Sequence, residues 1–226
     1  MAINLRNTSD VHTNGLKVCV YGQSASGKTT LISTAPNPII ISAESGLLSL
    51  ANFNIPYIEI NNINDLAEAY KWATSSAEAA SFETIALDSI SECAEVILSN
   101  EKKTSKDARM AYGNMADQVI ELIKAFRDIS GKHVYFSAKI ERTQDETGKI
   151  LWGPSMPGNK LGQQLPYLFD EIFALRVASN ADGEVERALQ TGPDSTYVAK
   201  DRSGKLDAWE APDLGLIINK ITGQKS

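Results

Sequence analysis

Val18-Cys19-Val20-Tyr21-Gly22-Gln23-Ser24-Ala25-Ser26-Gly27-Lys28-Thr29-Thr30 sets an apolar run directly before a phosphate-binding loop of the form G-x-x-x-x-G-K-T. In this pattern Gly22 and Gly27 let the backbone curl so that successive N–H groups point at phosphate oxygens. Lys28 then reaches the β/γ-phosphates, Thr29 offers its hydroxyl to Mg²⁺, and Thr30 with Leu31-Ile32 continues a helix beneath the loop. The expectation is a nucleoside triphosphate cradled by Gly22, Gln23, Ser24, Ala25, Ser26, Gly27, Lys28, Thr29 and Thr30. A fortuitous Gly/Ser turn would lack the strand before the loop and the helix after it.

The 226 residues, 42% hydrophobic and 22% charged, suffice for one substantial core, and one α/β domain is the economical reading. Residues 1–15 read as a short N-terminal arm offering Ile3 and Leu5, and 16–226 as the core. No run of about 18 apolar residues occurs and the N-terminus lacks the order of a signal peptide, so the expectation is a cytoplasmic protein with no membrane partner. Cys19 and Cys93 read as core filling, and with His12 and His133 the only histidines no His/Cys metal cluster is available. A net charge of −6 excludes a broadly basic coating surface but not a local basic patch.

Short β-type runs alternate with helical stretches, the pattern of parallel strands joined by crossover helices. Strands are expected at Lys17–Tyr21, Pro38–Ser42, Tyr57–Ile60, Thr84–Asp88 and His133–Ser137, with a helix from Asn64 to about Ala80. Met115, Val119, Leu122, Ile123, Phe126 and Ile129 form an apolar stripe at helical spacing, read as core. Glu171–Val177, Val185–Gln190 and Thr196–Lys200 read as antiparallel strands around the turn Asn180-Ala181-Asp182-Gly183, a meander that ends the sheet. Asn100–Arg109 is polar and aperiodic, and Glu141–Gln164 is rich in Gly, Pro and charge; both are expected to be ligand loops.

Thr84-Ile85-Ala86-Leu87-Asp88-Ser89 is a buried strand ending in an acid, and Asp88 can hold the Mg²⁺ shell opposite Thr29. Glu44 closes another apolar run, Ile39–Ala43, and emerges at the carboxyl edge of the sheet, where open α/β folds bind ligands. It can polarise a water attacking the γ-phosphate, or serve as an N-cap partner for a helix around Leu47–Ala51.

With these elements the chain resembles the RecA-like P-loop ATPase core. The resemblance rests on the phosphate loop, Ala43-Glu44-Ser45-Gly46, Leu87-Asp88-Ser89, Tyr135-Phe136-Ser137, Gly158-Asn159-Lys160-Leu161 ahead of Glu171–Arg176, and Tyr197-Val198-Ala199-Lys200-Asp201-Arg202. It spans roughly residues 16–218 and is nearest to the small phage-encoded RecA-like ATPases of the Sak single-strand-annealing group. The resemblance implies a mainly parallel sheet flanked by helices with a C-terminal antiparallel extension, ATP and Mg²⁺ as cofactors, and a phage or prophage protein working in a bacterial host. It makes Glu44 the water-activating base, Asp88 the magnesium carboxylate, and Lys200 and Arg202 cations reaching a neighbouring protomer's nucleotide; a solvated strand edge is the plainer reading of that last pair. Ser137 and Lys139 occupy the strand end where the family keeps a polar γ-phosphate sensor, commonly glutamine, and no glutamine stands there.

In that family two loops hold single-stranded DNA, and the matching intervals carry Lys102, Lys103, Lys106 and Arg109, then Arg142, Lys149 and Lys160. Arg109 and Asn114 are assigned to phosphates by position. Trp152 offers a ring for base stacking, or docks on its own domain. The resemblance further implies self-association into a filament or ring and assistance by a single-strand-binding protein. The expected activity is DNA-dependent ATP hydrolysis serving annealing or strand exchange. A nucleotide-gated scaffold that scarcely hydrolyses ATP is the rival; a small-molecule kinase would need an arginine-rich lid, and the loop after Lys139 has Arg142 alone.

Overall fold

Side-chain alternation builds the central sheet. In β1 (Lys17–Gly22), Cys19 and Tyr21 enter one apolar cluster while Val18 and Val20 enter another. The same division separates Ile39 and Ile41 from Ile40 in β2 (Pro38–Ser42), Ile85 and Leu87 from Ala86 in β4 (Thr84–Asp88), and Val134 and Phe136 from Tyr135 in β5 (His133–Gln144). Strands apolar on both faces must be covered on both, which parallel sheets achieve with crossover helices. Helices α2 (Ile63–Ser75), α3 (Ile90–Thr104), α4 (Ala108–Arg127) and α5 (Asn159–Gln164) cover the Cys19 face. The Val18 face is covered by α1 (Lys28–Leu31) and α6 (Leu214–Thr222), through Leu31 and through Leu214, Ile217, Ile218 and Ile221.

The computed structural model describes residues 15–144, 147–180 and 182–223 together with Leu5, Asn7 and Thr8, the side chains of Asn159 and Lys160 excepted. Most of the expected N-terminal arm, including Ile3, lies outside them. With β3 (Tyr57–Glu59), β7 (Glu171–Ser179), β8 (Val185–Gln190) and β10 (Trp209–Glu210), the strand order is β10-β8-β7-β1-β5-β4-β2-β3. The run from β7 to β3 is parallel, and β8 and β10 add an antiparallel extension. This is the α/β architecture expected from the sequence. Among the described residues no helix is long and apolar enough to cross a membrane.

Four expected elements differ. The polar stretch 100–109 is not a loop: α3 runs to Thr104 and α4 starts at Ala108 after an Asp107 cap. Glu101 makes this possible, accepting from Asn114 Nδ2 at 2.8 Å and Gln118 Nε2 at 2.7 Å across the helix pair. The interval 141–164 is likewise ordered. β5 continues to Gln144, turns back as β6 (Ile150–Pro154) with Arg142 opposite Trp152, and α5 follows. Finally, Thr196–Lys200 does not join the meander. Its place beside β8 is taken by β10, while Tyr197 bridges to Trp152 and only β9 (Lys200–Asp201) forms a strand, antiparallel to the start of β7. The helix expected from Asn64 to Ala80 begins at Ile63, under a capping box of Asn62 and Asp65, and stops at Ser75.

At the β7–β9 junction Glu171 is buried, and burial together with the Asp201 charge pushes its carboxyl up to about 8. A carboxyl raised in the folded state contributes stability fully below its unfolded value of 4.5 and loses that contribution as pH rises to about 8. Glu171→Gln stays uncharged throughout. Its melting temperature relative to wild type is therefore expected to rise between pH 4.5 and about 8, and a constant difference would show that Glu171 does not titrate in this window.

Candidate nucleotide site

β1 delivers the chain to Gly22 with β5 on one side and β7 on the other, Gly22 opposite Lys139 and Tyr21 opposite Ala174. A Cβ on Gly22 would lie 2.9 Å from the Leu175 carbonyl oxygen and 2.9 Å from Ser26 Oγ, so no side chain fits. Gly27 turns the loop into α1 at φ 104, a backbone conformation that side chains resist. The helix beneath the loop is shorter than expected: one α turn passes into a 3₁₀ turn at Ile32–Thr34 ahead of Pro36.

Lys28 folds over the loop and donates to the carbonyls of Gly22 and Gln23, both at 2.9 Å. Burial lowers its pKa, opposed by the charges of Glu44 and Asp88. Tyr135, buried in β5, donates its phenol to Lys28 O at 2.8 Å and so supports the loop from below.

Asp88 is 1% exposed at the end of β4. Thr29 Oγ1 donates to its Oδ2 at 2.7 Å, and Ser137 Oγ donates to its Oδ1. Burial raises the carboxyl's pKa, while these two hydrogen bonds pull it back. Ser137 Oγ is therefore engaged by Asp88, and the strand does not end there as expected but runs on through Lys139 to Gln144. A hydroxyl and a carboxylate on facing elements are the oxygen donors Mg²⁺ takes, and a nearby cation would favour the charged form of this buried carboxyl, so Thr29 and Asp88 fit that ion. Among the described residues no group of three or more His, Cys, Asp or Glu could hold a metal, so phosphate and water would complete the shell.

Glu44, half-buried, accepts from Ser89 Oγ at 2.6 Å. Its backbone N–H and that of Ala43 both donate to Asp88 O, at 3.2 and 2.8 Å, which ties the end of β2 to the end of β4. The Asp88–Ser89 peptide is cis. Glu44 is not a cap partner: the 3₁₀ turn Leu47–Leu50 follows Gly46 without a side-chain cap. Glu44 and Lys139 line the cleft above the phosphate loop, a space of about 860 Å³. Lys139 pairs with Glu92 in the first turn of α3, which raises its pKa.

Lys200 and Arg202 stand elsewhere. Ile172 pairs with Lys200 and Cys19, and Gly22 lies three residues along β1, so this pair occupies the amino edge, away from its own phosphate loop. Lys200 donates to Pro166 O at 2.7 Å and Arg202 to Asp170 Oδ1 at 2.7 Å. Lys102 and Lys103 lie in the last turn of α3, Lys106 in the turn and Arg109 in the first turn of α4. Asn114 is committed to Glu101. Arg142 and Lys149 belong to the β5–β6 hairpin, and the Lys160 side chain lies outside the described ones. Trp152 stacks on Tyr197, centroids 6.3 Å apart at 19°, a docking within its own domain in place of a free ring. The two basic stretches nonetheless meet: Lys102 Nζ lies 5.4 Å from the Tyr112 ring centroid, and a Cβ on Gly158 would lie 3.4 Å from that ring.

Sequence reasoning gave no role to Ser89, Tyr135, Glu92 or Arg187. Ser89 follows Asp88 directly, so its position was a signal; Tyr135, Glu92 and Arg187 meet Lys28, Lys139 and Ser26 only through strand order.

The profile of the AAA domain family matches residues 14–203. No curated protein matches the chain. Among solved structures, the KaiC-like protein PH0186 from the hyperthermophilic archaeon Pyrococcus horikoshii OT3 is 13% identical, with 78% of this chain and 77% of that chain covered at a TM-score of 0.45.

Ser89 holds two groups at once, since its Oγ also accepts from Glu92 N at 3.3 Å as the N-cap of α3. Ser89→Ala is expected to cost about 1 kcal/mol of stability through the lost cap. It is also expected to slow nucleotide hydrolysis more than it weakens nucleotide binding, because Glu44 loses its donor. Denaturant unfolding and steady-state phosphate release check the two effects, and unchanged turnover would show that Glu44 needs no tether.

Proposed function

The chain belongs to the AAA domain family, and from that membership we propose that it is a magnesium-dependent ATPase that assembles on single-stranded DNA and promotes annealing or strand exchange. The observation that carries the ATPase reading is the convergence on one cleft of the phosphate loop, the Thr29–Asp88–Ser137 hydrogen-bond chain and the Glu44 carboxylate. ATP lies with its phosphates along the loop N–H groups, and Lys28 moves from the carbonyls of Gly22 and Gln23 to the β/γ-phosphate oxygens. Mg²⁺ held by Thr29 and Asp88 supplies positive charge against the phosphates. Glu44 takes a proton from water, the water oxygen bonds to the γ-phosphorus, and the bond from that phosphorus to the β-bridging oxygen breaks, giving ADP and phosphate. Ser89 keeps the Glu44 carboxylate aimed.

The DNA reading rests on position and charge. Lys102, Lys103, Lys106 and Arg109 crowd the α3–α4 turn of an acidic protein, and contacts through Tyr112 and Gly158 bring that turn beside the segment after β6. α3 joins the turn to the cleft: it begins at Ser89, and Ser91 Oγ accepts from Lys139 N at 3.0 Å and donates to Ser155 O at 2.8 Å. Self-association brings the Lys200 and Arg202 edge of one copy toward the cleft of the next, a head-to-tail contact that builds rings or filaments.

Lys28→Ala is expected to abolish phosphate release while leaving the melting temperature of the nucleotide-free chain unchanged. Glu44→Gln keeps the shape but not the base, so ATP binding is expected to persist while hydrolysis falls about 10²–10⁴-fold. A chain that binds ATP but has no turnover before mutation is a scaffold, not an ATPase.

Replacing Lys102, Lys103 and Lys106 together with alanine is expected to weaken single-stranded DNA binding and to flatten its salt dependence by about 0.7 in log–log slope per lost phosphate contact. Titration of a fluorescent oligonucleotide at several salt concentrations, with ATP present, measures this. An unchanged slope would place the DNA elsewhere or nowhere on this chain.

A further inference from the structure

The cleft has a second cationic wall, built by the antiparallel extension. Arg187 stands on β8 opposite Val177 of β7 and reaches back over the phosphate loop, where its Nε donates to Ser26 O at 3.0 Å. A Cβ on Gly27 would lie 3.4 Å from Nε and 3.6 Å from Cδ, so the side chain lies directly over the second loop glycine. Arg187 lines the same cleft as Lys28, Thr29 and Glu44.

A guanidinium carries five N–H donors in a planar fork that matches phosphate oxygens. Here Nε alone is used: among the described residues Nη1 and Nη2 have no hydrogen bond and no carboxylate partner. Were Arg187 merely a staple for the loop, one neutral carbonyl would be its whole return, although it lines the same cleft as the Lys28 ammonium. Such a gathering of positive charge over backbone N–H groups is complementary to an anion.

Strand order indicates which part of the anion. Asp88 and Glu44, the metal and water groups of the reading above, follow β4 and β2 on the β5 side of β1, so the γ-phosphate end lies on that flank. Arg187 and Leu175 stand on the opposite flank, on β8 and β7. The nucleotide crosses the loop from one flank to the other, and what reaches Arg187 is the portion nearer the nucleoside.

We propose that Arg187 is a nucleotide-binding residue supplied by the same chain, its terminal guanidinium nitrogens hydrogen-bonding a non-bridging α- or β-phosphate oxygen, the part that ATP and ADP share. The proposal rests on the ATP-binding reading. It makes the β7–β8 hairpin part of the site and separates Arg187 from groups that act on the γ-phosphate alone.

The test uses the full chain with Mg²⁺ and measures the affinities of ATP and ADP by titration calorimetry for wild type, Arg187→Ala and Arg187→Lys. Melting temperatures are recorded with and without each nucleotide. Arg187→Ala is expected to weaken ATP and ADP by a common factor of about 10–100, the loss of one or two charge-assisted hydrogen bonds, with Arg187→Lys between it and wild type. The rise in melting temperature on adding nucleotide is expected to shrink in the same order. Wild-type affinities in Arg187→Ala would overturn the proposal and leave the ATP reading intact. So would a loss confined to ATP, which would put the contact on the γ-phosphate. A lower melting temperature without nucleotide, combined with an unchanged nucleotide-induced rise, would reduce Arg187 to a loop staple and overturn it too. If wild type bound neither nucleotide, the ATP reading would fail and the proposal with it.

Discussion

Burying the Asp88 carboxylate obliges its neighbours to supply donors, because an unmet buried charge is among the costliest features a fold can carry. The two donors come from separate elements, Thr29 at the start of α1 and Ser137 in β5. Both reach Asp88 only when β5 lies between β1 and β4, so strand order, phosphate loop and the Thr29–Asp88–Ser137 bonds are a single constraint. The backbone repeats it on the other side, where the Asp88 carbonyl collects the N–H groups of Ala43 and Glu44. The next residue, Ser89, then reaches the Glu44 carboxylate and caps α3. Displacing β4 by one residue would disconnect every one of these groups.

A second constraint runs through Tyr21, the residue before the loop. Its buried phenol bonds Trp152 O at 3.0 Å and Val198 O at 2.7 Å, and burial holds its pKa up so that it stays a donor. The β6 segment and the stretch around Val198 are thereby fastened to the strand that carries the phosphate loop. Tyr197 completes the arrangement, its ring between Trp152 and the Arg176 guanidinium, which lies 3.6 Å from its centroid. Order in a stretch rich in glycine and proline comes from these distant partners, and local propensity has little part in it.

That difference between local and distant causes decides what could be read from the sequence. Pro38–Ser42 and Thr84–Asp88 were legible to the residue, because strand character there is written in consecutive β-branched and apolar side chains, and Val185–Gln190 because it follows the Asn180–Gly183 turn. The loop from Gly22 to Thr29 was legible as a turn between strand and helix because its glycine spacing requires one, and the structure adds that Thr29 meets Asp88. The α3–α4 turn was not, since Glu101 looks like one more solvated charge until Asn114 and Gln118 face it from the next helix. Ser137 was singled out for its position at a strand end, yet the strand runs on and its hydroxyl bonds Asp88, a partner that strand order alone supplies. Arg187 gave no signal, because residue 187 meets residue 26 only after β7 and β8 have been laid beside β1.

The distribution of paired and unpaired cations separates the chain's structural charges from those that face outward. Arg127 is paired with Asp128, Arg202 with Asp170 and Lys220 with Glu210, and in the cleft Lys139 is paired with Glu92. Lys102, Lys103, Lys106, Arg109 and Arg187 have no carboxylate partner among the described residues. In a chain of net charge −6 carboxylates are plentiful, and other cations without one, Lys17, Lys132 and Lys200 among them, donate to backbone carbonyls instead. Isolated surface cations are commonplace and contribute little to stability. Four within eight positions around the α3–α4 turn, and one laid over a phosphate loop, instead concentrate positive potential where an anion can approach it. Positive charge without a carboxylate partner thus lies at the α3–α4 turn and over the phosphate loop, and α3, starting beside Asp88 and ending near Lys102 and Lys103, is the rigid element that spans them.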